Sequence, residues 1–231
     1  MWQELRTELH PKGVEIVTIA LDVDAEAARP FIEAANAEHP SLIDQAHIVD
    51  ALFGIVNVPN GVWIDEDGMI VRPAEAAHPG RNPLTDSFRT MDLSTLEPEI
   101  ANVLREARKI QTDPDAYVAM LRDWAERGSD SPYAHSPDDV VQRSRMRDLD
   151  TATAAAQFEL GQHLHRNGDH DAAVPHWCEA HRLDRENWTY KRNAWNFEDP
   201  VRQGHTDAYD SSWYEDILEI GAENYYPAIT P

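Results

Sequence analysis

The sequence contains one cysteine and few basic residues, and it has no long apolar run. With Cys178 alone, the chain can form neither an internal disulfide nor a dithiol redox pair of its own. Only 20 lysines and arginines oppose 42 aspartates and glutamates, and a net charge of -22 argues against binding to phosphates or anionic lipid. No apolar stretch approaches the roughly 20 residues that span a bilayer, and residues 1–10 lack the core of a signal peptide. We expect no nucleic-acid or membrane partner and a cytoplasmic location, unless the natural chain starts upstream.

The 231 residues divide into two parts with different patterns. In residues 1–75 predicted helices and strands alternate, which is typical of an α/β domain. Residues 76–96 are proline-rich and predict a linker or irregular loop, and residues 97–231 predict a helical domain. The elements predicted in the first part are, in order, a helix (Trp2–His10), a strand (Val14–Asp22), a helix (Asp24–Ala37), a strand (Ser41–Asp44), a helix (Gln45–Phe53) and a hairpin (Val62–Val71). The first strand is almost continuously apolar, as is typical of a strand buried on both faces of a parallel sheet. The inner face of the second helix is predicted at Ala28, Phe31, Ile32 and Ala35.

The stretch FGIVNVPNGVWIDEDGMIVR, residues 53–72, predicts a β-hairpin that is entered through a proline. Alternating apolar residues flank Asp67-Gly68, which is a strong short-range hairpin signal. Val58-Pro59 precedes the first strand, where a residue without an amide donor is tolerated. The bond before a proline is also one that can be cis.

Residues Val14 to Arg72, with this motif at their end, resemble the thioredoxin-like proteins of the ResA/TlpA type. The resemblance implies that Pro59 is the cis-proline that faces the redox site. It also implies that the backbone of Val58 pairs with an extended substrate, either a protein disulfide or a peptide. The alternative is a trans Pro59 that merely starts a strand. We expect no cofactor.

The chain departs from that family because it has no Cys-x-x-Cys. Thioredoxin chemistry needs this motif at a helix N-terminus, where the dipole lowers the pKa of the first thiol. The resemblance places the motif before Met1, and it places the missing central strand between Val14–Leu21 and Val62–Ile64. The expected fold is therefore an incomplete α/β thioredoxin-like unit, lacking the first strand and the start of the redox helix, followed by an all-α, TPR-like domain. Two explanations are open. The sequence is a fragment or has a miscalled start, for example because an in-frame UGA codon encodes selenocysteine. Alternatively, the protein is a redox-dead relative in which the sheet has closed up without the central strand.

Residues 154–187 resemble one tetratricopeptide repeat. Leu160-Gly161, Ala173, Trp177 and Ala180 stand at the repeat's spacings, and the small residues permit two helices to approach closely. Since about three repeats are needed for a stable core, neighbouring helices must complete this one. It is either a peptide-docking groove or a helical lid on the first part. Residues 201–231 are rich in aromatic side chains and are expected to pack back on the protein, with Tyr209, Trp213, Tyr214, Tyr225 and Tyr226.

Other candidate sites are weak. Several histidines surround Cys178, but their spacing does not present a chelating face, so we predict no metal site (His163, His165, His170, His176 and His181). Cys178 follows Trp177 in a packed helix and is predicted to be a buried, inert structural thiol. No catalytic residue is expected in this chain. The predicted function is a thiol-disulfide oxidoreductase in complete form, and the alternative is a non-catalytic interaction scaffold. An open apolar groove beside Pro59 favours the enzyme, and one filled by Trp213, Tyr214 or Tyr225 favours the scaffold.

Overall fold

The computed structural model describes residues 1–80, 83–199, 203–204, 207–227 and 229. The architecture is mixed, mainly helical with two small sheets, and is compatible with a thioredoxin-like region followed by helices. The α-helices are Trp2–Leu9 (α1), Ala25–Ala35 (α2), Ile48–Phe53 (α3), Pro83–Thr90 (α4), Pro98–Ala107 (α5), Pro114–Arg127 (α6), Pro137–Arg143 (α7), Leu149–Arg166 (α8), His170–Leu183 (α9), Trp188–Glu198 (α10) and Trp213–Ile220 (α11). Within the described ranges, none of them combines the length and hydropathy that a bilayer crossing requires.

The strands form two separate pairs. Thr18–Ala20 (β1) and Ser41–Ile43 (β2) are parallel, with Ile19 opposite Leu42. Asn60–Ile64 (β3) and Ile70–Ala76 (β4) form the predicted hairpin, in which the Asp65 side chain accepts bonds from the amides of Asp67 and Met69. Among the described residues no ladder joins β1 to β3.

One apolar core joins the first part of the chain to α6. Leu9 of α1 is fully buried, and Trp63 of β3 is 4% exposed. The Trp63 indole donates to the Tyr117 hydroxyl at 3.2 Å and stacks on Trp124, with ring centroids 5.1 Å apart. Helix α6 therefore packs against the hairpin and α1, although it follows the predicted linker at 76–96. That segment itself contains helix α4 and the fully buried Ala77.

Two expectations about the first part are wrong. Val17 is 52% exposed and Ile19 is 36% exposed, so the first strand is not buried on both faces. Val17 and Ile19 are alternate residues and share one face of the strand, and that face is left partly open to solvent. Phe31 is 79% exposed, although it was expected on the inner face of its helix, and of that set only Ala28 is buried.

The second core is built on the helical hairpin of α8 and α9. Trp177, Ala173 and Ala180 are fully buried there, as the predicted helix-helix contact requires. Gly161 of α8 lies against the indole of Trp177, and a Cβ at this position would fall 2.6 Å from its Cδ1 atom. Gly161 is therefore the residue that sets how closely the two helices approach.

We expect Gly161→Ala to destabilise the protein. Alanine gains about 1 kcal/mol in helix propensity, but overpacking against a fully buried indole costs about 1–3 kcal/mol. A net loss in the free energy of unfolding is checked by urea denaturation. The matched control is Glu159→Ala, an exposed position on the same helix, which should change stability by less than about 0.5 kcal/mol. A Gly161→Ala protein as stable as the wild type would show that the helices do not depend on this contact.

The aromatic tail packs on this second core, as predicted. Tyr209, Trp213 and Tyr225 are all less than 10% exposed. Helix α11 begins after Ser212, whose hydroxyl accepts a bond from the Glu215 amide. After α11 the chain continues through the 3₁₀ turn Ala222–Asn224 to Tyr225 and Tyr226.

Candidate functional site

The candidate site is the loop that connects α3 to β3. Helix α3 ends at Gly54, whose φ of 70° is a left-handed conformation that favours glycine. The peptide bond between Val58 and Pro59 is cis, as the sequence motif predicts. Both side chains are exposed, Val58 at 37%. The tip of the loop therefore presents an apolar, accessible surface.

Asn57 and the tail satisfy the polar backbone atoms of Val58. The Val58 amide donates to Oδ1 of Asn57 at 2.9 Å, and the Val58 carbonyl accepts from the Tyr226 hydroxyl at 2.8 Å. The Asn57 amide nitrogen donates in turn to the carbonyl of Tyr225 at 3.2 Å. Asn57 is 6% exposed, so this side chain is a buried link between the loop and the tail.

Helix α10 supports the same loop from the other side. The Thr189 amide donates to the Val56 carbonyl at 3.2 Å. Nδ2 of Asn193 donates to Nε2 of His47, which precedes α3, at 3.0 Å. The His47 ring also meets Phe158 of α8 edge-on at 4.9 Å. The loop is thus held by helices that follow it by more than 100 residues.

Two buried titratable groups lie where α3 meets these helices. His47 is 2% exposed, and burial lowers its pKa to about 4. Asp50 is 1% exposed, and burial raises its pKa to about 8. One carboxyl oxygen of Asp50 accepts from the Ala51 amide, and the other has no partner in the described structure. At neutral pH both groups are therefore uncharged, which allows these two side chains to be buried.

A cavity of about 320 Å³ lies beside the loop. Its walls include Asn57 and Asn60 from the loop, His135 that precedes α7, and Tyr226 from the tail. Burial lowers the pKa of His135, and the nearby Arg72 and Arg143 act in the same direction. On the side of α7 the cavity is lined by the polar side chains of His135 and Arg143, and on the side of the loop by the residues that flank Val58 and Pro59, Asn57 and Asn60.

Cys178 and the histidines around it form a different region, in α8 and α9. The Cys178 thiol is half-buried and donates to the Ala208 carbonyl at 3.4 Å, and burial, followed by Asp210, raises its pKa. Nδ1 of His165 lies 2.9 Å from Nδ1 of His170, whose Nε2 lies 2.6 Å from Glu198. In the part of the chain that is described, no group of three or more such side chains could hold a metal ion.

Sequence reasoning singled out Val58 and Pro59 but missed Asn57, Tyr226 and Thr189. The only available signal for the tail was its aromatic content, which predicts burial but not the surface that it covers. Asn57 and Tyr225 are 168 residues apart, so no local pattern relates them. The structure brings Val58 and Pro59 to one exposed loop tip and leaves Cys178 in another element.

Part of the chain is similar in sequence to known proteins. A stretch of 69 residues is 28% identical to the thiol-disulfide oxidoreductase ResA of Bacillus thuringiensis subsp. konkukian (strain 97-27). The same figures hold for ResA of Bacillus cereus (strain ATCC 10987 / NRS 248). The match spans 30% of this chain and 40% of each relative's length. No family model and no solved structure matches. The similarity supports a distant thioredoxin-like relationship.

Proposed function

We propose that this chain belongs to a thioredoxin-like thiol-disulfide oxidoreductase whose redox motif and central strand are supplied by polypeptide upstream of Met1. Val58 and Pro59 are its substrate-positioning residues. The observation that carries the proposal is the division of the strands into two pairs, β1–β2 and β3–β4, with no ladder between β1 and β3 in the described residues. The similarity to the two ResA proteins supports the same assignment.

The edge of β1 supports a missing neighbour. Thr18 and Ala20 direct backbone groups to the β2 side, where they bond to Pro40 and Asp44. Because successive residues of a parallel strand alternate in direction, Val17 and Ile19 direct theirs to the opposite edge. On that edge β1 has no ladder partner among the described residues, as expected of a strand that receives another.

One apolar cluster also joins the two sheets. Ile16, directly before β1, and Trp63 of β3 belong to one apolar cluster with Leu5 and Leu9 of α1. Helix α1 thus packs beside both sheets. A strand inserted between them would pair with both free edges and would lead directly into α1, at whose N-terminus a thiolate is stabilised.

In this complete form, the first thiolate or selenolate attacks one sulfur of the substrate disulfide and releases the other as a thiol. The second cysteine then attacks the mixed disulfide, so that the substrate leaves reduced and the protein leaves oxidised. The role of this chain is to position the substrate. The carbonyl of Val58 already accepts a hydrogen bond from outside its own loop, from Tyr226.

We expect the protein isolated from its native host to have an intact mass above 26.2 kDa, the mass of the 231 residues. N-terminal peptides should contain a Cys-x-x-Cys or its selenocysteine equivalent. The long form should reduce insulin disulfides in the presence of dithiothreitol, and the 231-residue chain should not, because it lacks the thiol pair.

The matched control is Cys178→Ser in the long form, which should retain its reductase activity since Cys178 lies outside the redox motif. Loss of activity in this variant would assign the chemistry to Cys178 instead. A native mass of 26.2 kDa, with no thiol or selenol codon upstream, would reject the oxidoreductase proposal.

The second candidate is a non-catalytic interaction scaffold, in which the helical part with its TPR-like hairpin binds a partner. The observation that favours it is the position of the tail, since Tyr225 and Tyr226 bond to Asn57 and Val58 and so cover part of the loop. A native mass of 26.2 kDa together with an inactive protein would make this the better description.

A further inference from the structure

The C-terminal segment Ala222–Pro227, named here the strap, lies across the candidate substrate loop. It makes two hydrogen bonds there, from Asn57 to the Tyr225 carbonyl at 3.2 Å and from the Tyr226 hydroxyl to the Val58 carbonyl at 2.8 Å. Burial raises the pKa of the Tyr226 phenol. The hydroxyl is therefore protonated at physiological pH and acts as the donor.

Aromatic packing fixes the strap in this position. Tyr225 is 5% exposed and meets Trp188 of α10 edge-on at 4.8 Å and Trp213 of α11 at 6.0 Å. Tyr226 packs on Tyr225 at 4.8 Å and on His78 at 5.2 Å. Tyr225 is thus an anchor in the second core, whereas Tyr226 lies at the surface of the loop.

Tyr225 and Tyr226 differ in the number of contacts that each would lose on leaving its site. Removing Tyr225 from its site would expose a core aromatic side chain, whereas Tyr226 is held by one hydrogen bond and two ring contacts. Tyr226 can therefore leave the loop while the anchor stays in place. Its departure would free the Val58 carbonyl and widen the cavity that Tyr226 and Asn57 line.

We propose that the strap is an intramolecular occupant of the site at Val58, so that an extended peptide ligand must displace Tyr226 to bind there. The inference rests on the proposed function insofar as Val58 is taken to position a substrate. An extended peptide can offer the Val58 carbonyl the hydrogen-bond donor that Tyr226 offers, while Asn57 stays bonded to the carbonyl of the anchored Tyr225. Tyr226 and the ligand compete for the Val58 carbonyl, and the apparent affinity of the ligand falls with the fraction of molecules that are open.

The test uses the 231-residue chain and a fluorescein-labelled hexapeptide with the strap's own sequence, Ala-Glu-Asn-Tyr-Tyr-Pro. Tyr226→Phe keeps both ring contacts and removes the donor, so the open fraction should rise about fivefold. By fluorescence anisotropy, this variant should bind the hexapeptide about fivefold more tightly than the wild type. Hydrogen exchange in the peptic fragments that cover residues 54–60 and 222–227 should accelerate by a similar factor.

The matched control is Tyr214→Phe, on α11 of the same tail, whose hydroxyl makes no hydrogen bond to another described residue. It should behave as the wild type in both measurements. Tyr226→Ala, which also removes the ring contacts, should bind the hexapeptide more tightly still. Since Tyr225 is retained in every variant, the second core stays intact.

Equal affinity of the wild type and Tyr226→Phe for the hexapeptide would overturn the proposal, even if exchange accelerates, because the strap would then be a structural clamp and not a competitor. Unchanged exchange in both segments would also overturn it. The hexapeptide contains no cysteine, so these results do not depend on thiol chemistry. A long form that fails to reduce insulin would reject the proposed function and leave the strap measurement intact.

Discussion

Lys191→Met will lower the free energy of unfolding by about 3–5 kcal/mol, as is typical when one partner of a buried ion pair is removed. Nζ of Lys191 lies 2.6 Å from Oδ2 of Asp216, and the two side chains are 6% and 11% exposed. The ammonium also lies 5.1 Å from the centre of the Trp188 ring. Without Lys191, the Asp216 carboxylate keeps only the Ser211 hydroxyl, at 3.3 Å, among its described side-chain partners.

This ion pair matters for the candidate site because it joins α10 to α11. Helix α10 donates the Thr189 amide to the Val56 carbonyl, and α11 leads into the strap. Loss of the pair should therefore loosen both supports of the loop. The measurement is guanidinium denaturation, followed by tryptophan fluorescence.

Two variants separate the unpaired charge from the loss of packing. The double variant Lys191→Met with Asp216→Leu should recover most of the stability, since no buried charge is left unpaired. Arg29→Met, which breaks an exposed pair with Glu26, should cost less than about 1 kcal/mol. A loss of less than about 1 kcal/mol for Lys191→Met would show that Asp216 finds another partner or water.

Local features of the fold could be predicted from the sequence because their causes are local. Asp67-Gly68 marks the hairpin turn, and Asp113 caps α6 through a bond from the Ala116 amide. Helices α5 to α10 lie in the part of the chain whose pattern predicts helices, since capping residues and apolar spacing lie within each segment. The Val58–Pro59 motif is likewise a short pattern, and its cis bond is present.

Features that depend on distant residues could not be predicted. The contact of Tyr226 with Val58 spans 168 positions, and the contact of Trp63 with Tyr117 spans 54. The continuously apolar pattern of Val14–Asp22 predicts a strand whose two faces are covered by other elements. The pattern does not show whether those elements are present, and Val17 and Ile19 are in fact exposed.

The pH dependence of stability should show a maximum near pH 6.5, with a fall of about 1 kcal/mol between pH 6.5 and 8. Burial raises the pKa of Asp50 from 3.8 to about 8, so between these values the folded state holds one more proton than the unfolded state. Stability contributed by this group is complete below its unfolded pKa and is lost as the pH rises toward its folded pKa. His47 acts with the opposite sign.

On the acid side the histidines dominate. Burial lowers the pKa of His47 from 6.5 to about 4 and that of His181 from 6.5 to about 3, so the unfolded state binds more protons than the folded state below pH 6.5. Two histidines oppose one aspartate in this range, and stability therefore falls on acidification. As the pH rises above 6.5 the two histidines of the unfolded state lose their remaining protons, and the opposite slope set by Asp50 then prevails.

Asp50→Asn isolates this contribution. The amide oxygen can still accept from the Ala51 amide, and the side chain no longer ionises in the unfolded chain. Relative to the wild type, the variant should gain up to about 4 kcal/mol at pH 7, because ionisation of Asp50 no longer favours unfolding over about three pH units. Its stability should not fall between pH 6.5 and 8, whereas Glu33→Gln, an exposed carboxyl on α2, should retain the wild-type fall. Urea denaturation at half-unit pH steps distinguishes them, and an unchanged fall in Asp50→Asn would show that Asp50 is ionised in the folded protein at neutral pH.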